Sequence, residues 1–104
     1  MSNVYELSES SFRKEVLESP VPTLVAFCAP WCAPCRMIGE LAAESAGTAR
    51  VGKVDVDNDP HIAPTYGVDN IPTLLIFRDG EVIERFVGVV SKADLERALD
   101  LVTT

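Results

Sequence analysis

The chain has 104 residues, 47% of them hydrophobic and 24% charged, with a net charge of −7. That length suits one domain with a single core, spanning residues 1–104, and the composition excludes a disordered chain. The negative charge, with no basic run to offset it, argues against binding to nucleic acid or an anionic membrane surface, and no apolar run approaches the ~20 residues of a membrane span.

In chain order, Val4-Tyr5-Glu6 reads as a short β-prone start. Ser10 or Ser11 is expected to cap a helix running to about Glu18 and burying Phe12, Val16 and Leu17; Pro20 and Pro22 end it. Leu24 to Phe27 has no polar alternation and reads as a central strand buried on both faces. An amphipathic pattern beginning with Met37-Ile38 and Leu41-Ala42 predicts a helix from Cys32 to about Ala46, with Gly47 as its C-terminal stop. Arg50 to Asp57 alternates, with Val51, Lys53, Asp55 and Asp57 on one side and Gly52, Val54 and Val56 on the other. Asp59-Pro60 reads as a cap and first-turn proline for a short helix to Tyr66. Thr73 to Phe77 is a second apolar strand, Asp79-Gly80 a two-residue hairpin turn, and Val82 to Val87 the returning strand. Ser91-x-x-Asp94 resembles a capping box for a last helix carrying Leu95, Ala98, Leu99 and Val102 on one stripe. The order is βαβαβαββα, an α/β arrangement. It predicts a central mixed sheet with helices on both faces, because the βαβ parts require parallel strands and the hairpin adds an antiparallel pair.

The chemistry centres on Trp31-Cys32-Ala33-Pro34-Cys35-Arg36, where the first apolar strand gives way to a helix. Cys32 falls at or just before the helix start, where unpartnered N–H groups and the helix dipole favour a thiolate. Cys35 lies three residues on, on the same helix face, so the two sulfurs can meet; Arg36 adds positive charge beside them. This suits reversible dithiol–disulfide chemistry in which one sulfur attacks and the other resolves. Three other readings stand beside it. A zinc site would have to recruit Cys28, Cys32, Cys35 and His61, with Cys28 in or at the end of a buried strand. The C-x3-C-x2-C spacing also matches a radical-SAM iron–sulfur motif, which belongs to a much larger barrel. Inert core cysteines are the third reading, against which stand the neighbouring Trp31 and Pro34. His61 reads as an exposed helix residue, and the acidic run at 55, 57 and 59 as a solvated face or cap, without the ligand order of a calcium loop.

The chain resembles thioredoxin over nearly its whole length. The motifs that carry the resemblance are Phe27-x-Ala-Pro-Trp-Cys-Ala-Pro-Cys-Arg-Met-Ile38, Lys53-Val-Asp-Val-Asp-Asn58, Ala63-Pro-Thr-Tyr-Gly67, Ile71-Pro-Thr73, Phe77-Arg-Asp-Gly-Glu-Val82 and Gly88-Val-Val-Ser-Lys92. The resemblance implies the thioredoxin fold with Leu24–Cys28 at the centre of the sheet. It implies a disulfide reductase in which Cys32 is the nucleophile and Cys35 the resolving thiol. Ala33-Pro34 between the cysteines is close to the family's Gly-Pro and favours a reductant. A cis Pro72 would pack against the dithiol, and Ile71 would offer backbone groups to a substrate strand. Trp31, Pro34, Ile71, Gly88 and Val89 would form an apolar docking rim, and Gly88 reads equally as a bend in the last strand. No bound cofactor and no metal are implied. The implied partners are disulfide-containing proteins and a separate reductase, linked to NADPH or to ferredoxin; the chain is expected to act as a monomer. The N-terminus lacks the basic and apolar regions of a signal peptide and three cysteines are too few for a secreted disulfide framework. A cytoplasmic location is therefore expected, or a stromal one if a transit peptide has been removed. A binding module that does not use its cysteines is the rival from another class.

Three positions depart from the family pattern. Ala26 stands where the family buries an aspartate beneath the second cysteine, Cys28 where it has a tryptophan, and Glu40 where it has a helix-kinking proline. Lys53 normally neighbours the missing aspartate, and Asp55, two residues on, is a candidate partner for it; Lys53, Arg36 and Asp55 are thus candidate tuning charges.

Overall fold

The computed structural model describes residues 4–29, 50–88, 93–94 and 97–98, with Val4 and Tyr5 described by backbone alone. Its strands are β1 (Val4–Leu7), β2 (Thr23–Cys28), β3 (Arg50–Asp55), β4 (Thr73–Arg78) and β5 (Glu81–Val87). They form one mixed sheet in the order β1-β3-β2-β4-β5. β3 pairs parallel with β1 and β2, while β4 pairs antiparallel with β2 and β5. The order puts β2 at the centre, as its uninterrupted apolar run requires: Leu24, Val25, Ala26 and Phe27 have no exposed surface.

The first helix starts earlier than its sequence suggests. α1 (Glu9–Phe12) is capped by Ser8, not by Ser10 or Ser11. Ser8 and Ser11 form a reciprocal box: the Ser8 N–H donates to Ser11 Oγ at 3.0 Å, and the Ser11 N–H to Ser8 Oγ at 3.3 Å. The helix then widens into a π-helical turn over Arg13–Leu17, closed by the Glu18 N–H on the Arg13 carbonyl at 2.9 Å. After it, Ser19 folds onto Val21, accepting its N–H and donating to its carbonyl.

β3 ends at Asp55 and not at Asp57. Asp55 Oδ1 accepts the N–H groups of Asp57 at 2.9 Å and Asn58 at 3.3 Å, which curls the chain out of the strand. The next helix, α2 (Ile62–Thr65), is shorter than the Asp59-Pro60 signal predicts; His61 occupies the cap position without a side-chain bond. Asp59 serves another helix instead: its Oδ1 accepts the Glu9 N–H at the start of α1, at 3.2 Å.

One side of the sheet carries a core of Leu7, Phe12, Val16, Val25, Phe27, Val54, Ile62, Ala63, Val68, Leu75 and Phe77. Each such large side chain, fully buried, contributes roughly 1.5–3 kcal/mol before entropy is charged. Phe12, Tyr66 and Phe77 meet within it, with centroids 5.2 to 5.7 Å apart and two of the three pairs edge-to-face. Leu24, Ala26, Leu74 and Ile76 alternate onto the opposite side and are also buried, so the sheet is covered on both faces.

The β4–β5 hairpin turns at Asp79 (φ 54°) and Gly80 (φ 82°), the two left-handed residues of a type I′ turn. Leu17's carbonyl lies 3.3 Å from where a Cβ on Gly80 would sit, a second reason for glycine there. β5 begins at Glu81, one residue before the expected start. Ile76 faces Glu84 while Phe77 faces Val82, so Ile83 is an extra, bulged residue. Residues 93–94 and 97–98 are helical, and Asp94 and Arg97 approach to 3.6 Å.

Candidate functional site

Three elements converge at one end of the sheet. β2 finishes there at Cys28, β4 starts there at Thr73, and β5 finishes there at Val87. Phe27 lies opposite Thr73, and Thr73 opposite Val87, so the three chain segments are neighbours. The Ile71–Pro72 peptide just before β4 is cis, and Pro72 is buried with Ile71 half-buried. The Gly88 N–H donates to the Pro72 carbonyl at 2.8 Å, continuing the ladder one step past β5. Gly88 has φ +87°, and a Cβ there would meet nothing within 4 Å, so glycine is fixed by backbone conformation rather than by space. The bend reading of Gly88 therefore holds, and it places Gly88 beside Pro72. Thr73 Oγ1 donates to the Asn70 carbonyl, closing the loop from the other side.

Around this end, Cys28 is 6% exposed, and its carbonyl accepts the Val56 N–H at 2.9 Å. It packs as part of the strand, as cysteine side chains commonly do in cores. Ala26 is fully buried, with Lys53 and Leu74 as its register partners on the two neighbouring strands. Lys53 is exposed, and the Asp55 carboxylate is engaged by the turn it starts. Among the described residues no ion pair joins Lys53 to Asp55. His61 is exposed, and among the described residues no three His, Cys, Asp or Glu side chains are grouped to hold a metal ion. Trp31, Cys32, Ala33, Pro34, Cys35, Arg36, Glu40 and Val89 lie outside the described residues.

Two features of this end were not visible in the sequence. Arg85 Nη2 donates to the Tyr66 carbonyl at 2.6 Å, across 19 residues. Val87, beside Gly88, is 60% exposed, the largest exposure among the large apolar side chains described. Tyr66 itself has its phenol pushed above its ordinary value, chiefly because partial burial disfavours the anion; the nearby Arg13 charge offsets part of this. Among the described residues no helix is long and apolar enough to cross a membrane.

The sequence profile described as Thioredoxin matches residues 3–101. "Thioredoxin 1" from Nostoc sp. is 43% identical over 104 residues, covering 96% of this chain and 97% of its own. "Thioredoxin 1" from Synechococcus elongatus has the same identity and the same coverage of both chains, 43%, 96% and 97%. Among solved structures, a mutant thioredoxin from Halobacterium salinarum NRC-1 superposes with a TM-score of 0.89 at 31% identity, covering 97% of this chain and 91% of its own.

Proposed function

The chain belongs to the thioredoxin family and is a thiol–disulfide oxidoreductase, and on that premise we propose that Cys32 and Cys35 are its redox pair, working in the direction of protein-disulfide reduction. The observation that carries this reading is the meeting of Cys28, Pro72 and Gly88 at one end of the sheet. In sequence, Cys32 comes three residues after Ala29, which leaves β2 at that end.

In the proposed reaction the Cys32 thiolate attacks one sulfur of a substrate disulfide. A Cys32–substrate disulfide forms, and the other substrate sulfur leaves as a thiolate and takes a proton. Cys35 then loses its proton and attacks the Cys32 sulfur, expelling the second substrate thiol. Two electrons and two protons pass to the substrate, and the chain ends with a Cys32–Cys35 disulfide. The family implies a reductase that returns those electrons; we propose that it draws on NADPH or on ferredoxin. Ile71, Pro72, Gly88 and Val89, with Trp31, Ala33 and Pro34, would form the surface on which substrate docks, and Arg36 and Lys53 would tune the thiols. We read residues 1–104 as a single domain acting as a monomer in a cytoplasmic or stromal compartment.

A short iodoacetamide pulse near neutral pH should alkylate Cys32 first, and Cys35→Ser should trap mixed disulfides with protein substrates. Preferential labelling of Cys35 or Cys28, or equal trapping by Cys32→Ser, would overturn these roles. Insulin reduction with dithiothreitol no faster than a Cys32→Ser control would overturn the reductase reading itself.

A further inference from the structure

We infer that Arg85 is a positioning residue for substrate docking, holding the loop that carries Ile71 and Pro72 through the Tyr66 carbonyl. The inference rests on the docking role proposed for that loop. Residues 67–71 run between α2 and β4, and β5 together with the residue after it, Gly88, grips both ends. At the far end the Gly88 N–H holds the Pro72 carbonyl at 2.8 Å. At the near end the Arg85 guanidinium holds the Tyr66 carbonyl at 2.6 Å. Tyr66 is the residue that terminates α2, so its carbonyl has no continuing helix to bond it, and a cation is the favoured partner there. Gly67 follows at φ +69° and turns the chain away, while its N–H and that of Val68 bond the carbonyls of Pro64 and Ala63.

Register fixes why Arg85 and no neighbour does this. Arg85 is opposite Leu75, whose side chain lies in the core shared with Tyr66, so Arg85 projects over the same side of the sheet. Glu84, opposite Ile76, belongs to the other side. Val68 anchors the loop from below, 8% exposed, yet Asp69 and Asn70 are exposed and contribute no core packing. Between the buried Val68 and Pro72, the loop's position therefore depends on the hydrogen bonds at its ends as well as on burial. The Arg85 bond is the one among them supplied by a side chain of β5.

Docking and chemistry separate in the prediction. Loosening the loop weakens capture of a protein substrate and leaves the thiols untouched. Arg85→Ala should raise the KM for insulin about threefold to tenfold, the worth of one ordinary hydrogen bond, since this one is exposed to solvent. Its kcat, and its rate with a small aromatic disulfide that needs no docking loop, should stay within about twofold. Arg85→Lys should restore most of the insulin KM, since an ammonium can also donate to the carbonyl. Ile71→Asp is measured alongside as a probe of the loop itself. If Ile71→Asp raises the insulin KM and Arg85→Ala does not, Arg85 is no positioning residue and the docking reading stands. If neither variant moves the KM, the docking reading fails and takes this inference with it. If Arg85→Ala depresses kcat and the small-disulfide rate together, its role is general stability and the inference is overturned.

Discussion

Ala26 and Lys53 are register partners on adjacent parallel strands, one with no exposed surface and the other exposed. A carboxylate introduced at position 26 would stand among buried apolar residues, with the exposed Lys53 as its register neighbour on β3. Ala26→Asp should therefore lower stability at neutral pH by roughly 1–3 kcal/mol, the cost of a poorly satisfied buried polar group. Desolvation raises the introduced carboxyl's folded pKa, and the Lys53 charge opposes that rise. The part of the penalty that comes from ionisation should be absent well below about pH 4, grow as pH climbs to the raised folded value, and stay level above it, while the cost of burying the neutral carboxyl persists at every pH. The same change should speed resolution of the mixed disulfide, up to the ~10²-fold expected of a positioned base. Denaturant melts across pH and stopped-flow reduction on both proteins decide this; a variant that is less stable and no faster means another group takes the proton.

Cys28 is buried at the end of β2, on the Ala26 side of the sheet. Cys28→Ala should cost about 0.5–1.5 kcal/mol, the range for trimming a small buried side chain. Turnover with insulin should stay within about threefold, equivalent to about 0.7 kcal/mol of barrier. A far larger loss in a variant that still melts cooperatively would make Cys28 a third redox thiol.

The Ser8–Ser11 box gives a sharp contrast between neighbouring serines. Ser8→Ala removes the cap and should destabilise by about 1 kcal/mol. Ser10 is exposed, and its hydroxyl shares a 2.9 Å hydrogen bond with the Ser8 hydroxyl, so Ser10→Ala should change stability by less than about 0.5 kcal/mol. Equal effects of the two substitutions in urea melts would contradict the assignment of the cap to Ser8.

Tyr66 makes the alkaline limb of stability testable. Its folded pKa lies above the ordinary 10.0, so its contribution is complete below pH 10 and is lost as pH rises through the folded value. Tyr66→Phe keeps the ring between Phe12 and Phe77 and removes the titration. The variant should match the parent at pH 7 to 9 and fall less steeply as pH rises above 10. Parallel stability curves over that interval would show that the phenol does not couple to folding.

Where local chemistry decides the conformation, the sequence was sufficient to read it. The apolar run of β2 and the Asp79-Gly80 turn needed nothing beyond their own residues. Asp55 and Asp59 were misread because a carboxylate's choice among nearby N–H groups depends on where the chain folds back. Asp59 looked like the cap of the helix just after it and instead bonds Glu9, 50 residues away. Val51 and Lys53 share a strand face by periodicity, yet one is buried and the other exposed, because alternation gives side and not depth. At the candidate site, motif spacing singled out Ile71, Pro72 and Gly88. Arg85 carried no signal, since nothing local to it announces the Tyr66 carbonyl.

Among the described residues, the β2–β4 ladder is the only sheet pairing between the parallel strands and the hairpin. That ladder acts as a ruler between the end of β2, which leads toward Cys32, and the Pro72–Gly88 pair. Sliding it by one residue would turn Leu74 and Ile76 to the wrong side. Sliding it by two would keep the sides and displace Pro72 by about 7 Å relative to Cys28. The side chains that lock it in place, Leu24, Val25, Leu75 and Ile76, have no exposed surface and lie toward its middle. On the roles proposed for Cys32 and Pro72, a substitution in one of these core side chains that shifts this register while the protein stays folded would alter how far a docked substrate sits from the attacking sulfur.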